Sequence, residues 1–338
     1  MGVFQQKYLT FGAFCGKVIL VNMLCHQERI TGMSKNILVV GSINMDYVIY
    51  TERLPKLGET LTGKDFAMNY GGKGANQAVA VAKQGCTTKM LGAVGKDMSG
   101  GLAIGNLESF GVDCSSILKV DAPTGAAVIT VCGGDNHIIL DVGANGCVTP
   151  EKIAENEALF AWADAVVMQY EIPVESVLAA AKLAKKNGCF VLVNPAPVKE
   201  MAPELYGYVD LIIPNEFEAA LITGVQVTDR ASAAEAIEKL MELGCKNALV
   251  TLGKQGCAYR LNGETVYEDC IPVQVVDTTA AGDSFIGGLC TKLCAGEDMQ
   301  AAVKYATAVS ALTVSRAGAS VSIPTEAEVQ AFLATLKR

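Results

Sequence analysis

Short apolar runs recur along this chain, with stretches of helical periodicity between them. Residues 37–41 (ILVVG) form the first run and end in glycine, the mark of a strand buried on both faces. Similar runs occupy residues 90–94, 165–168, 190–193, 211–213 and 248–252. Between them, residues 75–84, 101–110, 151–163, 174–186 and 231–243 place apolar side chains at helical spacing. Residues 284–294, 299–315 and 326–337 read as three closing helices. Alternation of this kind predicts an α/β fold, a three-layer sandwich with a mostly parallel central sheet and helices on both faces.

Two segments depart from that rhythm. Residues 47–70 and 115–141 alternate β-branched and aromatic residues with polar ones. Each carries turn signals, PKLG at 55–58 and GGDN at 133–136. They read as antiparallel strands that pair in space as a small β lid. The expected organisation is a main domain of residues 35–46, 71–114 and 142–338 with a discontinuous lid of 47–70 and 115–141. Residues 1–34 stand apart: 8–24 is apolar but broken by Lys17 and Asn22, and Met33 immediately precedes the first strand. This segment reads as an extension outside the fold, neither a membrane span nor a clean signal peptide.

Composition narrows the function. In 338 residues, hydrophobic content is 51% and charged content 18%, as in a globular protein. The net charge of −8 speaks against a nucleic-acid partner. Twelve cysteines include no C-x-x-C spacing, and Cys86, Cys189, Cys245 and Cys257 each follow a glycine. Reduced, mostly buried thiols in a cytoplasmic protein are the expectation. With only His26 and His137, a histidine triad or His-rich metal site is nearly excluded.

The chemistry concentrates in Asp277 to Phe285, DTTAAGDSF, where small residues open a helix. Free N–H groups at a helix start favour an anion, since the dipole acts in the same direction. A carboxylate inside such a cradle, Asp283, suits a base that takes the proton of a hydroxyl attacking a phosphate. Other candidates fall at strand ends or helix starts. Asn44 and Asp46, two apart in GSINMD, face the same way on extended chain and suit a polyhydroxyl ligand, or close an Asx turn. Gly72, Lys73 and Asn76 in GGKGANQA open a helix, either around a ligand or packed on a strand; the spacing is not that of a P-loop. Glu171 follows a strand and serves a hydroxyl or simply the surface. Asn215 and Glu218 form a capping box or face a hard cation through water. Thr251, Gly253 and Gly256 in TLGKQG make a nucleotide platform or a plain turn.

These motifs, with NPAP at 194–197, occur in the order found in the ribokinase-like carbohydrate kinases, which the chain resembles from about Asn36 to Pro324. The resemblance implies a ribokinase-like fold whose β lid also forms a homodimer contact. It implies ATP-dependent phosphorylation of D-ribose at the 5-hydroxyl, with Mg2+ and K+. By motif, Asn44, Asp46, Gly72, Lys73, Asn76 and Glu171 would hold the sugar. Asp283 would be the base and Ala280, Ala281, Gly282 and Asp283 the anion hole. Asn215, Glu218, Thr251, Gly253, Gly256 and Gly282 would lie on the ATP side. Asp277 and the backbone at Thr279, Thr313, Arg316 and Gly318, with Ser322, would hold K+. One departure is expected at Ala281, since many members read DTTGAGD; another is Met45, where alanine is common. Neither a membrane nor a nucleic-acid partner is expected. A same-fold kinase acting on 2-deoxyribose or a nucleoside remains open, as does a non-catalytic sugar- or nucleotide-binding protein. A dehydrogenase is disfavoured, because no G-x-G-x-x-G follows the first strand.

Overall fold

The computed structural model describes residues 35–133 and 135–336. The N-terminal extension, Gly134 of the expected turn and Lys337 of the last expected helix lie outside the described residues. In chain order the strands are β1 (Asn36–Val40), β2 (Asn44–Tyr50), β3 (Lys64–Gly71), β4 (Thr87–Leu91), β5 (Ala93–Gly95), β6 (Val112–Asp113), β7 (Leu118–Val120), β8 (Gly125–Cys132), β9 (Asp135–Asp141), β10 (Ala165–Gln169), β11 (Phe190–Asn194), β12 (Leu211–Ile212), β13 (Leu249–Thr251), β14 (Cys257–Leu261) and β15 (Glu264–Glu268). The α-helices are α1 (Lys73–Lys83), α2 (Met98–Ser109), α3 (Pro150–Glu155), α4 (Glu157–Trp162), α5 (Val174–Lys186), α6 (Glu216–Thr223), α7 (Arg230–Glu242), α8 (Ala281–Cys294), α9 (Met299–Val314) and α10 (Glu326–Leu336).

The central sheet runs β12-β11-β10-β1-β4-β6, and every pairing in it is parallel. Alternate side chains of β1 feed two different cores. Leu38 and Val40 pack with Val166, Met168, Val191 and Val193. Ile37 and Val39 pack with Ala165, Val167 and Leu192 on the opposite face. Both faces are therefore buried, which is why these strands read as continuous apolar runs.

Several expected elements differ. The run at 90–94 is split: β4 ends at Leu91 in the central sheet, and β5 turns away beyond Gly92 to pair with β7. The expected helix at 151–163 breaks at Asn156, whose side-chain amide donates to the carbonyl of Lys152 at 2.9 Å. An asparagine that bonds nearby backbone competes with the helix ladder. The run at 248–252 meets the central sheet in parallel sense but is not a full strand of it. It touches the central sheet only by the bridges Ile212–Ala248 and Asn215–Thr251, and it opens an antiparallel sheet with β14 and β15.

The lid sheet has the order β3-β2-β8-β9. Each hairpin is antiparallel, as expected, but the two meet through β2 and β8, which run parallel. Both strands leave the main domain in the same direction, so their junction cannot be antiparallel. Residues 118–120 belong to β7 and not to the lid. Strand β2 begins at Asn44, so Asn44 and Asp46 stand on the first lid strand and not on the end of β1.

Candidate active site

Helix α8 begins one residue before Gly282, and Asp283 lies in its first turn, buried. Helices α1 and α8 approach closely: a Cβ on Gly287 would collide with the Cβ of Ala80. That approach brings the start of α1 against the start of α8. Asn76 donates its amide to Oδ2 of Asp283 at 3.1 Å, and Gln77 donates to Oδ1 at 2.9 Å. Oδ1 of Asn76 is buried and has no partner. Lys73 occupies the first position of α1. Burial works against its charge, but Asp283, Glu171 and Glu218 outweigh it and hold the ammonium pKa above its ordinary value.

The expected anion hole is partly altered. The N–H of Ala281 turns to the carbonyl of Thr278 at 3.2 Å. The N–H groups of Gly282 and Asp283 lie in the first helical turn, where the helix supplies no acceptor. Ala280 precedes them in the left-handed region, at φ 60°. The residue that departs from a glycine is therefore Ala280 and not Ala281. Set letter against letter, DTTAAGD and DTTGAGD also differ at Ala280.

Asn44 and Asp46 project from the same face of β2. Oδ1 of Asn44 accepts from the amide of Asn145 at 2.7 Å. Burial, then Glu171, then Asp283, raise the pKa of Asp46 to about 7. Glu171, just beyond β10, accepts from the hydroxyl of Ser42 at 2.5 Å and from the backbone N–H of Lys73 at 3.0 Å. Gly72 caps α1 with φ 89°, so the chain turns there from the lid into the helix. A small cavity of about 70 Å³ opens beside Asn44, Asn145 and Glu171 and is bounded by Leu140 of the lid and by Lys199.

Asn215 and Glu218 form the capping box of α6: Asn215 accepts from the Glu218 N–H at 2.8 Å, and Glu218 accepts from the Asn215 N–H at 2.9 Å. Burial raises the Glu218 pKa, against the Asn215 N–H and Lys73, which lower it. Thr251 is bridged to Asn215, its N–H reaching the carbonyl of Pro214 at 3.0 Å. Gly253 and Gly256 flank the following turn. At Gly256 a side chain would collide with the carbonyl of Glu268, so the chain itself demands that glycine. Of this group, Glu218 interacts by charge with Lys73 and Asp283.

Asp277 joins the loop before α8 to the loop after α9. It accepts from Thr279, through N–H at 2.9 Å and hydroxyl at 2.7 Å, and from the N–H of Gly318 at 3.0 Å. Burial would raise its pKa, but these bonds win and hold it below the usual carboxylate value. The N–H of Arg316 donates to the carbonyl of Thr313 at 3.1 Å. The Thr313 hydroxyl donates to the carbonyl of Val309 and the Ser322 hydroxyl to that of Ala319.

Four polar residues at the site carried no role in the sequence reading: Ser42, Gln77, Gln169 and Asn145. All four are buried at 1% exposure or less. Ser42 and Gln77 lie inside GSINMD and GGKGANQA and Gln169 follows the run at 165–168, but nothing in the sequence shows their burial or their partners.

The family model for the pfkB family carbohydrate kinases matches residues 34–326. A ribokinase of Haemophilus influenzae is 39% identical over 303 residues, covering 89% of this chain and 99% of that protein. A deoxyribokinase of Salmonella typhi is 35% identical over 301 residues, covering 88% and 98%. The structure of Arabidopsis thaliana ribokinase complexed with ribose and ATP superposes with a TM-score of 0.85 at 35% identity, covering 89% of this chain and 99% of that one. The motifs, the fold and the convergence of α1, α8 and the lid on Asp283 agree with these likenesses, and the chain belongs to the pfkB family of carbohydrate kinases.

Proposed function

We propose that this kinase transfers the γ-phosphoryl group of ATP to the 5-hydroxyl of D-ribose, giving ribose 5-phosphate, with Asp283 as the general base. One observation carries the reading: the buried Asp283 carboxylate, held by two amides at the start of α8, lies within the electrostatic reach of Asp46 and Lys73. Asp46, Glu171 and the unpartnered Oδ1 of Asn76 are acceptors for sugar hydroxyls and the Asn44 amide is a donor, while Gly72 and Lys73 close the site from α1. As the hydroxyl oxygen bonds to phosphorus its proton turns acidic and passes to Asp283. The N–H groups at the start of α8, with Ala280, face the charge that develops on the phosphoryl oxygens. Phosphoryl transfer needs little beyond this positioning and charge stabilisation.

ATP would lie beside Asn215, Thr251, Gly253 and Gly256. The capping box uses only one carboxylate oxygen of Glu218, which leaves the other for a water-held Mg2+. That ion supplies charge neutralisation on the phosphates. The carboxylate of Asp277 and backbone carbonyls at Thr279, Thr313, Arg316 and Gly318 are hard oxygen donors that suit K+. The Ser322 hydroxyl donates to Ala319, which leaves its oxygen lone pairs for this set. The cation would act on the loop that leads into α8.

The lid supports a homodimer. Met68, Tyr47, Val128 and Ile139 are directly paired across β3, β2, β8 and β9 and so share one face. Met68, Val128 and Ile139 are more than half exposed or nearly so, at 57%, 50% and 74%. An exposed apolar row of this kind marks a surface that is covered in use. No described helix is long and apolar enough to cross a membrane. The cysteines among the described residues are free, which suits a reducing cytoplasm.

The deoxyribokinase likeness favours one second reading, 2-deoxyribose as acceptor. ADP release from Mg-ATP in K+ buffer, with ribose, 2-deoxyribose and nucleosides at equal concentration, decides among them. Ribose-dependent release with a 5-phosphate product supports the proposal. Release with another acceptor alone changes the substrate, and silence with all of them points to a binding protein. Equal rates in Na+ and K+ would remove the monovalent cation.

A further inference from the structure

We propose that Lys83 and Gln84, at the C-terminal end of α1, are positioning residues that hold the loop after α9 in the shape that receives the monovalent cation. The inference rests on the reading of that loop as part of a K+ site. The loop, residues 315–325, is joined to the Asp277 carboxylate, whose Oδ2 accepts from the N–H of Gly318 at 3.0 Å. Three of its carbonyls are taken by the end of α1. Nζ of Lys83 donates to the carbonyl of Ser320 at 3.1 Å and to that of Ile323 at 2.6 Å. Nε2 of Gln84 donates to the carbonyl of Pro324 at 2.8 Å. Among the described residues nothing donates to the carbonyls of Arg316 and Gly318, two members of the proposed cation set. Unpaired carbonyls beside a carboxylate are hard oxygen donors, the kind such a cation takes. The loop thus divides its carbonyls between α1 and the cation.

These donors have one orientation. A backbone carbonyl only accepts, so the atom of Gln84 that faces Pro324 is its nitrogen. Its Oε1 accepts from the Tyr305 hydroxyl of α9 at 2.6 Å. Gln84 and Tyr305 are 2% and 4% exposed, so bulk water does not compete for these bonds. The half-buried Lys83 ammonium lies 4.4 Å from the centre of the Phe110 ring, which with the two carbonyls replaces water it has given up. On its outer side the loop is held by Glu328 of α10, which accepts from Arg316 at 2.8 Å and from the N–H of Thr325 at 2.7 Å. Both side chains of that ion pair are a third or more exposed, and such pairs are worth little. The inner contacts with α1 therefore fix where the loop stands. Lys73, Asn76 and Gln77 lie near the other end of the same helix. At a rise of about 1.5 Å per residue, Lys73 and Lys83 are about 15 Å apart along it. One helix thus carries the sugar side at its start and the cation loop at its end.

The test compares the parent chain with Lys83→Met, Gln84→Leu and Lys83→Arg. Thermal midpoints and ADP release with ribose are measured over a K+ series, with Na+ keeping the ionic strength constant. The K+ dissociation constant, fitted from the rise of the midpoint with K+, is read without any turnover. For Lys83→Met it should rise about tenfold, the scale of losing a charged donor. For Gln84→Leu it should rise about threefold, the scale of a neutral hydrogen bond. Lys83→Arg keeps a charged donor and should stay within about threefold of the parent. The K+ concentration that half-activates ADP release should move by the same factors. Lys83 also stands in the last turn of α1, where a cation favours the helix dipole. A structural role of that kind alone would lower the midpoint equally in Na+ and K+ and leave the K+ dissociation constant unchanged. That result in folded Lys83→Met overturns the inference. If Lys83→Met does not fold, Gln84→Leu decides, and a parent-like constant there overturns it. A parent chain that gains nothing from K+ over Na+, in midpoint or in rate, sinks the cation reading and this inference with it. A parent that gains, with variants that gain at the same K+ concentration, sinks this inference alone.

Discussion

Asn145 holds Asn44 by a 2.7 Å amide-to-amide bond that spans 101 residues and joins the base of the lid to the main domain. The same Asn145 accepts from the N–H of Ile43 at 2.9 Å and donates to its carbonyl at 3.2 Å. Asn44 therefore presents its amide hydrogens in one orientation. Asn145→Ala removes this support and leaves the Ile43 backbone unpaired. The expected outcome is a sugar KM raised about tenfold with kcat within a few-fold, because Asn145 orients a binding group and not the base. Initial rates over a sugar series check it. A fall in kcat at constant KM would mean that Asn145 acts on Asp283 instead.

The proposed base gives a sharper expectation. Asp283→Asn keeps the size of the side chain but offers Asn76 and Gln77 one acceptor where the carboxylate offers two. Turnover should fall about 10²–10⁴-fold, the usual worth of general-base assistance. Nucleotide binding, read by calorimetry, should stay near the parent. Parent-like turnover in this variant removes Asp283 from the role.

Much of this site was legible because its residues sit in runs whose composition is hard to explain by folding alone. Asp283 among small residues and Asn44 spaced two from Asp46 are of that kind. The buried strands were equally plain, since Leu38 and Val40 serve one core and Ile37 and Val39 the other. Gln77, Gln169 and Asn145 were not legible, because their meaning lies in partners more than 90 residues distant. Nothing local tells a buried glutamine that bonds another amide from one on a surface. The parallel junction of β2 with β8 was hidden for the same reason: alternation predicts a strand but not the direction of a distant neighbour. The helix break at Asn156 was visible in principle, as asparagine is a poor interior helix residue.

Ala280 carries a backbone strain that its neighbours do not explain away. Among the described residues only Asp65, Asn262 and Ala280 are non-glycine with positive φ, and aspartate and asparagine tolerate that region better than alanine. Ala280→Gly should stabilise the fold by about 1 kcal/mol, less the added freedom of the unfolded glycine. For a chain of this size the thermal midpoint should rise by about 2 °C. Differential scanning calorimetry measures it, and a lower midpoint would show that the methyl group contributes more packing than strain.

Asp46 makes the unliganded fold sensitive to pH near neutrality. Its pKa is raised from the ordinary carboxylate value of 3.8 to about 7. The folded state therefore holds this proton more tightly than the unfolded chain. The resulting stabilisation is full below about pH 4 and is lost as pH rises through 7. Between pH 5 and 8 the parent should lose on the order of a few kcal/mol more than Asp46→Asn does. Sugar hydroxyls that donate to Asp46 favour its charged form, so binding should release a proton and sugar KM should rise as pH falls below 7. Parallel denaturation curves for parent and Asp46→Asn at every pH would contradict the linkage.

The lid offers the last expectation. Ile139 is the most exposed member of the row Met68, Tyr47, Val128 and Ile139, and β9 is one of the two edge strands of its sheet. In a monomer, glutamate at this position meets water, and surface substitutions of that kind change stability by about 0.5 kcal/mol or less. In a dimer joined through this face, the carboxylate would be buried against apolar side chains, at a cost of several kcal/mol. Ile139→Glu should therefore shift a parent dimer to monomer at micromolar concentration, which sedimentation velocity reads directly. Leu140 bounds the cavity beside Asn44, so the loss of the partner should also loosen the sugar side and raise sugar KM while ATP KM holds. A parent that sediments as a monomer, or a variant that remains a dimer, would place the contact elsewhere.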